Sequence, residues 1–216
     1  FLETEDGGVK TISAPHMIVT LLHHLEIRVN QEVVILGAKG GYLATLIAHI
    51  VGPKGKVVIV DPSAEVIEYV NSRLDDSICI TCTHMESVDQ KPKGLPSSMH
   101  RVLVTGQIES LPEWLSEHLV EGGFAIAPIG ERDYQNLMKL ERQGDEIMET
   151  GLGQVIFGPV DIKESIPETP SPEEFTFMIE DALEALDNLD MIESETRHEL
   201  DDLIADLRLL PDDLAP

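Results

Sequence analysis

The sequence predicts a doubly wound α/β domain: a mostly parallel sheet with an antiparallel edge hairpin, followed by an acidic helical extension. Three observations predict it. Short β-branched runs alternate with helix-period segments from Gln31 to Leu119, the alternation stops after Gly130, and the final stretch is acidic and proline-punctuated with helical spacing.

The elements follow in order. "EVVIL" reads as a strand, "YLATLIAHIV" as a helix, "KVVIV" as a strand and "SAEVIEYVNSRL" as a helix. The runs are strand-length and β-branched, whereas the segments between them repeat their apolar residues at three and four. "SICIT" is the third strand, and a loop rich in Lys, Pro, Gly and Ser from Gln90 to Ser98 leads to the strand "RVLVT". The helix "LPEWLSEHL" and the strand "GFAIAPI" complete the alternation. Strands joined through helices run parallel and are covered on both faces. Beyond Gly130, "YQNLMKLER", the turn-rich "QGDE" and "GQVIFGPV" form two strands without an intervening helix, which predicts an antiparallel edge hairpin.

This closes a first domain at residues 1–160. Residues 161–173, with "KESIPETPSPEE", read as a linker. In a helical extension over residues 174–210, Phe175, Ile179, Ala182, Leu183, Leu186 and Leu189 recur at helical spacing. Leu200, Leu203, Ile204 and Leu207 repeat the pattern in a second helix that starts at Ser194 to Thr196 and is ended by Pro211. Such a pair either folds back on the domain or docks on a partner protein or a second copy.

Forty acidic residues stand against 15 basic ones, a formal charge of −25. That surface repels nucleic acid phosphates, so direct RNA or DNA binding is not expected. The excess is uneven: from Asp161 onward 18 acidic residues face Lys163, Arg197 and Arg208, a balance of −15. No apolar run approaches the roughly 18 residues that cross a bilayer, and no basic-then-apolar leader is visible. The chain therefore reads as cytoplasmic and free of membrane. Its start at Phe1 rather than methionine reads as excision from something longer.

Cys79 and Cys82 have the C-x-x-C spacing of redox and metal pairs. On a strand, residues three apart face opposite ways, which predicts two separate thiols. Among the histidines no H-x-x-x-H spacing occurs, and no metal site is expected.

"LGAKGGYLA" turns from a strand into a helix, where unpaired backbone N–H groups meet a ligand. Gly37, Gly40 and Gly41 allow the tight turn and the close approach. Asp61 ends the second strand, where a carboxylate accepts hydrogen bonds from both hydroxyls of a ribose or, alternatively, caps the next helix. Turn and acid together indicate an adenosine-containing cofactor. The turn matches neither the dinucleotide register nor the Gly-Lys-Ser/Thr ending of phosphate loops. S-adenosylmethionine, which has no phosphate, fits better. Lys39 within the turn would help binding beside the cofactor's carboxylate, would oppose it beside the sulfonium, or points to solvent.

"TISAPHM", then a helical segment, then "VVILGAKGGYLATLIAHIVGPKGKVVIVD" closely resembles the protein-L-isoaspartate O-methyltransferase family of class I methyltransferases. The likeness runs from about Lys10 to Val160 and continues through "HRVLVTGQ", "LVEGGFAIAPIG" and "LGQVIFGPV". It implies methyl transfer from S-adenosylmethionine to the α-carboxylate of isoaspartyl residues in damaged proteins, a repair reaction. It further implies that Ser13 hydrogen-bonds the substrate carboxylate, that Thr11, Ile12 and Pro15 shape the cleft, and that Gly37, Gly40, Gly41 and Asp61 serve the cofactor. The chain departs from the family's pattern at four places. Ile35 stands where an acid precedes the turn, and Lys39 replaces the middle glycine. "TCTHMES" lacks a Gly-Asp-Gly triplet, and "VLVTGQ" replaces an alanine-rich segment. Fibrillarin-type RNA methyltransferases are locally similar and also lack the acid before the turn. A repair methyltransferase is the first expectation; a domain that has lost catalysis and serves as a binding or assembly module through its acidic tail is the alternative.

Overall fold

The computed structural model describes residues 2–3, 9–10, 13–74, 79–161, 176–177, 179–180, 183 and 194–208. The chain divides into two compact units, Phe1–Ile166 and Pro167–Pro216.

The first unit opens with a small antiparallel pair, β1 (Leu2–Glu3) and β2 (Val9–Lys10). Then come α1 (Pro15–Leu25), β3 (Glu32–Leu36), α2 (Tyr42–Val51), β4 (Lys56–Asp61), α3 (Ala64–Asn71) and β5 (Ile80–His84). β6 (Met99–Val104), α4 (Glu113–His118), β7 (Leu119–Glu131), β8 (Tyr134–Gln143) and β9 (Glu146–Val155) complete it. Strands β3 to β9 form one sheet in the order β5-β4-β3-β6-β7-β8-β9. All pairs from β5 across to β7 are parallel, and β8 and β9 are antiparallel. The doubly wound sheet with an antiparallel edge is thus the fold expected.

The β-branched runs become central strands because both faces are covered. Val33, Ile35, Val57 and Ile59 pack with α1, α2 and α3 on one side. Val34, Leu36, Val58 and Val60 pack with α4 and with Met85 from the β5–β6 connection on the other. Each fully buried side chain of this size contributes about 1.5–3 kcal/mol of transfer free energy. The hairpin extends further than its sequence pattern. β9 takes in Glu146 to Leu152 and stops at Val155, leaving "IFGPV" outside. Most of β9 is exposed, so its strand character comes from the ladder with β8 across the turn at Gly144, not from alternation of apolar residues.

The two thiols are separate as expected, but strand alternation is not the reason. β5 begins at Ile80, so Cys79 lies before the strand and alternation does not govern it. Both thiols are free, and both pack against the same cluster as α2 and α3. Burial pushes the Cys82 thiol from 9.0 up to about 11, which keeps it protonated and a poor nucleophile near neutral pH.

In the second unit α5 (Ser194–Leu207) starts where the sequence places it. Leu183 and Ile204 are buried, Leu203 is exposed, and Arg208 pairs with Glu180. Most of the linker, together with Phe175, Ala182, Leu186, Leu189 and Pro211, lies outside the described residues. No helix among the described residues is long and apolar enough to cross a membrane.

Candidate active site

In an open α/β sheet a ligand crevice forms at the carboxyl ends of the strands, where the strand order reverses. Here that point lies between β3 and β6. The glycine turn sits on it. Gly37 has φ +98° and donates its N–H to the Val60 carbonyl at 2.8 Å. Across the switch point, Thr105 Oγ1 donates to the Gly37 carbonyl at 2.8 Å. A Cβ on Gly37 would lie 2.4 Å from that oxygen, so only glycine fits. On Gly41, at φ +82°, a Cβ would come within 3.1 Å of Val70 on α3. Gly40 differs: its φ is +78° and nothing lies within 4 Å of an added Cβ. The turn is therefore packed from below at Gly37 and Gly41 and open above Gly40. The first turn of α2 has no side-chain cap, which leaves N–H groups for an acceptor from outside. This geometry fits a small cofactor laid against the backbone.

Asp61 lies directly beside this turn and is fully buried. Its Oδ2 accepts the Ala38 N–H at 2.8 Å and its Oδ1 the Ser63 N–H at 2.9 Å. The helix cap is Ser63, whose hydroxyl accepts the Val66 N–H at 3.3 Å. Asp61 thus ties the glycine turn to the start of α3.

Lys39 has φ +37°, a left-handed conformation for a residue with a side chain. Its ammonium stands 4.6 Å over the ring of Phe157. Phe157 is held at both polar ends of its backbone by one side chain, Gln135. The Phe157 N–H donates to Gln135 Oε1 at 2.8 Å, and Gln135 Nε2 donates to the Phe157 carbonyl at 3.0 Å.

Ser13 precedes α1 and is half-buried, and Pro15 is exposed at the first helical position. Arg101, near the start of β6, donates from Nε to the Leu25 carbonyl at 3.0 Å, so α1 ends at the amino edge of the sheet. Its 11 residues rise about 16 Å, roughly the length of a strand. Thr11 and Ile12 lie outside the described residues.

Four loops at the same edge enclose a cleft of about 570 Å³. Gln107 organises it. Its N–H donates to the Gly158 carbonyl at 2.8 Å, its carbonyl accepts the Val160 N–H at 3.1 Å, and its Nε2 donates to the Gly130 carbonyl at 2.7 Å. Gly106 permits this approach, since a Cβ there would lie 2.7 Å from the Val160 nitrogen. Asp89, Glu109, Glu131 and Asp161 line the cleft, with Arg132 among them. Sequence reasoning named none of these residues. Its one signal was "VLVTGQ", flagged as a departure, which supplies both Thr105 and Gln107. Among the described residues no group of three or more His, Cys, Asp or Glu is placed to hold a metal ion.

Sheet order, glycine turn and carboxyl-edge cleft together define a Rossmann-like methyltransferase fold. A family model described as protein-L-isoaspartate(D-aspartate) O-methyltransferase matches residues 4–165. The chain belongs to this family. A protein-L-isoaspartate O-methyltransferase of Methanopyrus kandleri is 32% identical over 168 residues, covering 76% of this chain and 74% of the relative. One of Methanococcus maripaludis is 32% identical over 157 residues, covering 71% and 72%. Among solved structures, a Plasmodium falciparum protein described as a protein-L-isoaspartate O-methyltransferase in complex with S-adenosyl-L-homocysteine superposes with a TM-score of 0.62. It is 20% identical and covers 75% of this chain and 79% of its own. A second structure named as such an enzyme has a TM-score of 0.61 at 20% identity, covering 68% of this chain and 47% of its own. At these identities the structures speak for the fold.

Proposed function

We propose that the chain transfers a methyl group from S-adenosylmethionine to the α-carboxylate of isoaspartyl residues in damaged proteins, working in the cytoplasm. The family match over residues 4–165 carries this reading. The half-buried position of Ser13 just before α1, whose far end is held at the amino edge of the sheet, is consistent with it. When bound, the cofactor supplies an electrophilic methyl. The chain's task is then to bring a carboxylate in line with it. That carboxylate is already ionised near neutral pH, so proton transfer contributes little and positioning contributes most. The Ser13 hydroxyl donates to one carboxylate oxygen and leaves the other for attack. Thr11, Ile12 and Pro15 wall the substrate side. Gly37 and Gly41 shape the turn, and the open face over Gly40 receives the cofactor. Asp61 holds the turn in that shape at the ribose end of the cofactor.

The test is methyl transfer to an isoaspartyl peptide. Ser13→Ala removes one hydrogen bond to a charged group, about 1.5–3 kcal/mol, and is expected to lower kcat/KM by about 10- to 100-fold. Unchanged transfer would show that Ser13 does not touch the substrate.

We further propose that the acidic helices after the linker contact a partner protein or a second copy. Phe177 is 70% exposed and Leu203 42% exposed, which supports a surface used for docking. Sedimentation should show association for the full chain and none for residues 1–166. Equal behaviour of the two would remove the docking role.

A further inference from the structure

We propose that Lys39 is a cofactor-binding residue whose ammonium pairs with the carboxylate at the amino-acid end of the cofactor. This rests on the methyltransferase reading above.

The first observation is a strained backbone. Lys39 adopts φ +37° between Gly37 and two further left-handed residues, Gly40 and Gly41. A side chain in this region costs about 1–2 kcal/mol, which glycine would not incur. The other described non-glycine residues with positive φ have local reasons: Glu26 is the left-handed cap of α1, and Asn30 is a residue type that tolerates this region. Lys39 has neither, so what its side chain does must offset the strain.

The second observation is where the charge is held. The ammonium rests on the ring of Phe157, 4.6 Å from its centre, and that ring is only 7% exposed. Gln135, 1% exposed, clamps the Phe157 backbone from both sides. A lysine on a flexible stem normally samples many positions. Here a buried clamp and a fixed ring confine the cation to one region of the carboxyl edge.

The third is direction. Strands in a sheet lie about 4.8 Å apart, and β4, β3 and β6 are consecutive neighbours. Asp61 at the end of β4 marks the ribose side of the cofactor, so the amino-acid end runs across the turn after β3 toward β6. The anchor of Lys39 lies that way, because Phe157 is bound to Gln135 on β8, on the far side of β6 from Asp61. In a chain of net charge −25, with Asp89, Glu109, Glu131 and Asp161 around the neighbouring cleft, an anionic carboxylate needs a dedicated cation. Lys39, held over Phe157, is placed to be that cation.

Calorimetric titration of the full chain tests the assignment with two probes: S-adenosylhomocysteine, which carries the carboxylate, and 5′-methylthioadenosine, which lacks the amino-acid end. Lys39→Met keeps the stem and removes the charge. It is expected to weaken S-adenosylhomocysteine about tenfold and to leave methylthioadenosine within about twofold of wild type. Lys39→Arg should restore most of the loss. Lys39→Gly relieves the strained backbone yet should lose as much affinity as Lys39→Met. Parallel weakening of both probes would overturn the proposal in favour of a merely structural lysine. So would an unchanged or tighter complex in Lys39→Gly or Lys39→Met. A wild-type chain that binds neither probe would overturn the methyltransferase reading, and this proposal with it.

Discussion

Asp61→Ala is expected to cost the first unit about 3–5 kcal/mol, because two hydrogen bonds to a buried carboxylate are lost together. The Ala38 and Ser63 N–H groups donate to its two oxygens at 2.8 and 2.9 Å, and the residue is fully buried. Both donors would be left without that acceptor in a place water does not reach. The loss also releases the link between the glycine turn and α3, so affinity for the cofactor should fall in the same variant. Asp61→Asn separates charge from shape: its amide oxygen serves one N–H, while its NH₂ group faces the other donor. It should recover about half of the lost stability. The single tryptophan, Trp114, is buried in the first unit and reports its denaturant unfolding. A loss below about 1 kcal/mol for Asp61→Ala would mean that the two N–H groups find other acceptors and that Asp61 is not the link.

Gly37→Ala is expected to be nearly as damaging, at about 3 kcal/mol, by combining overpacking with a left-handed backbone. The new Cβ would meet Thr105 Oγ1 at 2.4 Å, and φ is +98°. Thr105 cannot simply turn away, since its hydroxyl donates to the Gly37 carbonyl at 2.8 Å. Gly37→Ala with Thr105→Ala relieves the overlap but not the backbone strain. The double variant should therefore be more stable than the sum of the single losses by about 1–2 kcal/mol. Gly40→Ala is the control. With open space above it and φ +78°, it should lose only about 1 kcal/mol. Equal losses for Gly37→Ala and Gly40→Ala would show that Thr105 does not press on the turn.

Both variants act at the turn that the sequence marks most clearly, and the comparison shows how far a sequence reaches. α2 was legible to its ends, Tyr42–Val51, because a helix period and bounding glycines are local signals. β3 and β4 were legible because strands buried on both faces read as unbroken β-branched runs. β9 was legible only in part, since an exposed edge strand is held by its neighbour's ladder and has little pattern of its own. The facing of Cys79 was not legible for a related reason: β5 begins at Ile80, three residues beyond the start of "SICIT", so the alternation from which that facing was inferred does not reach Cys79, although both thiols are free as expected.

The sequence by itself determined the alternation of elements, the carboxyl-edge turn with its glycines, the acid at the end of β4, the charge of −25 and the family resemblance. All of these are encoded within short windows or in composition. Only the tertiary structure decided that the oxygens of Asp61 hold Ala38 and Ser63, that Thr105 closes the floor under Gly37, and that Lys39 reaches to Phe157. It also decided that Gln107 gathers segments around Gly130 and Gly158 into one cleft. The physical reason is separation along the chain. Asp61 meets Ala38 across 23 residues and Thr105 meets Gly37 across 68, so no local propensity specifies either contact. They exist because packing the sheet brings those strand ends together, where buried polar groups must find their hydrogen-bond partners.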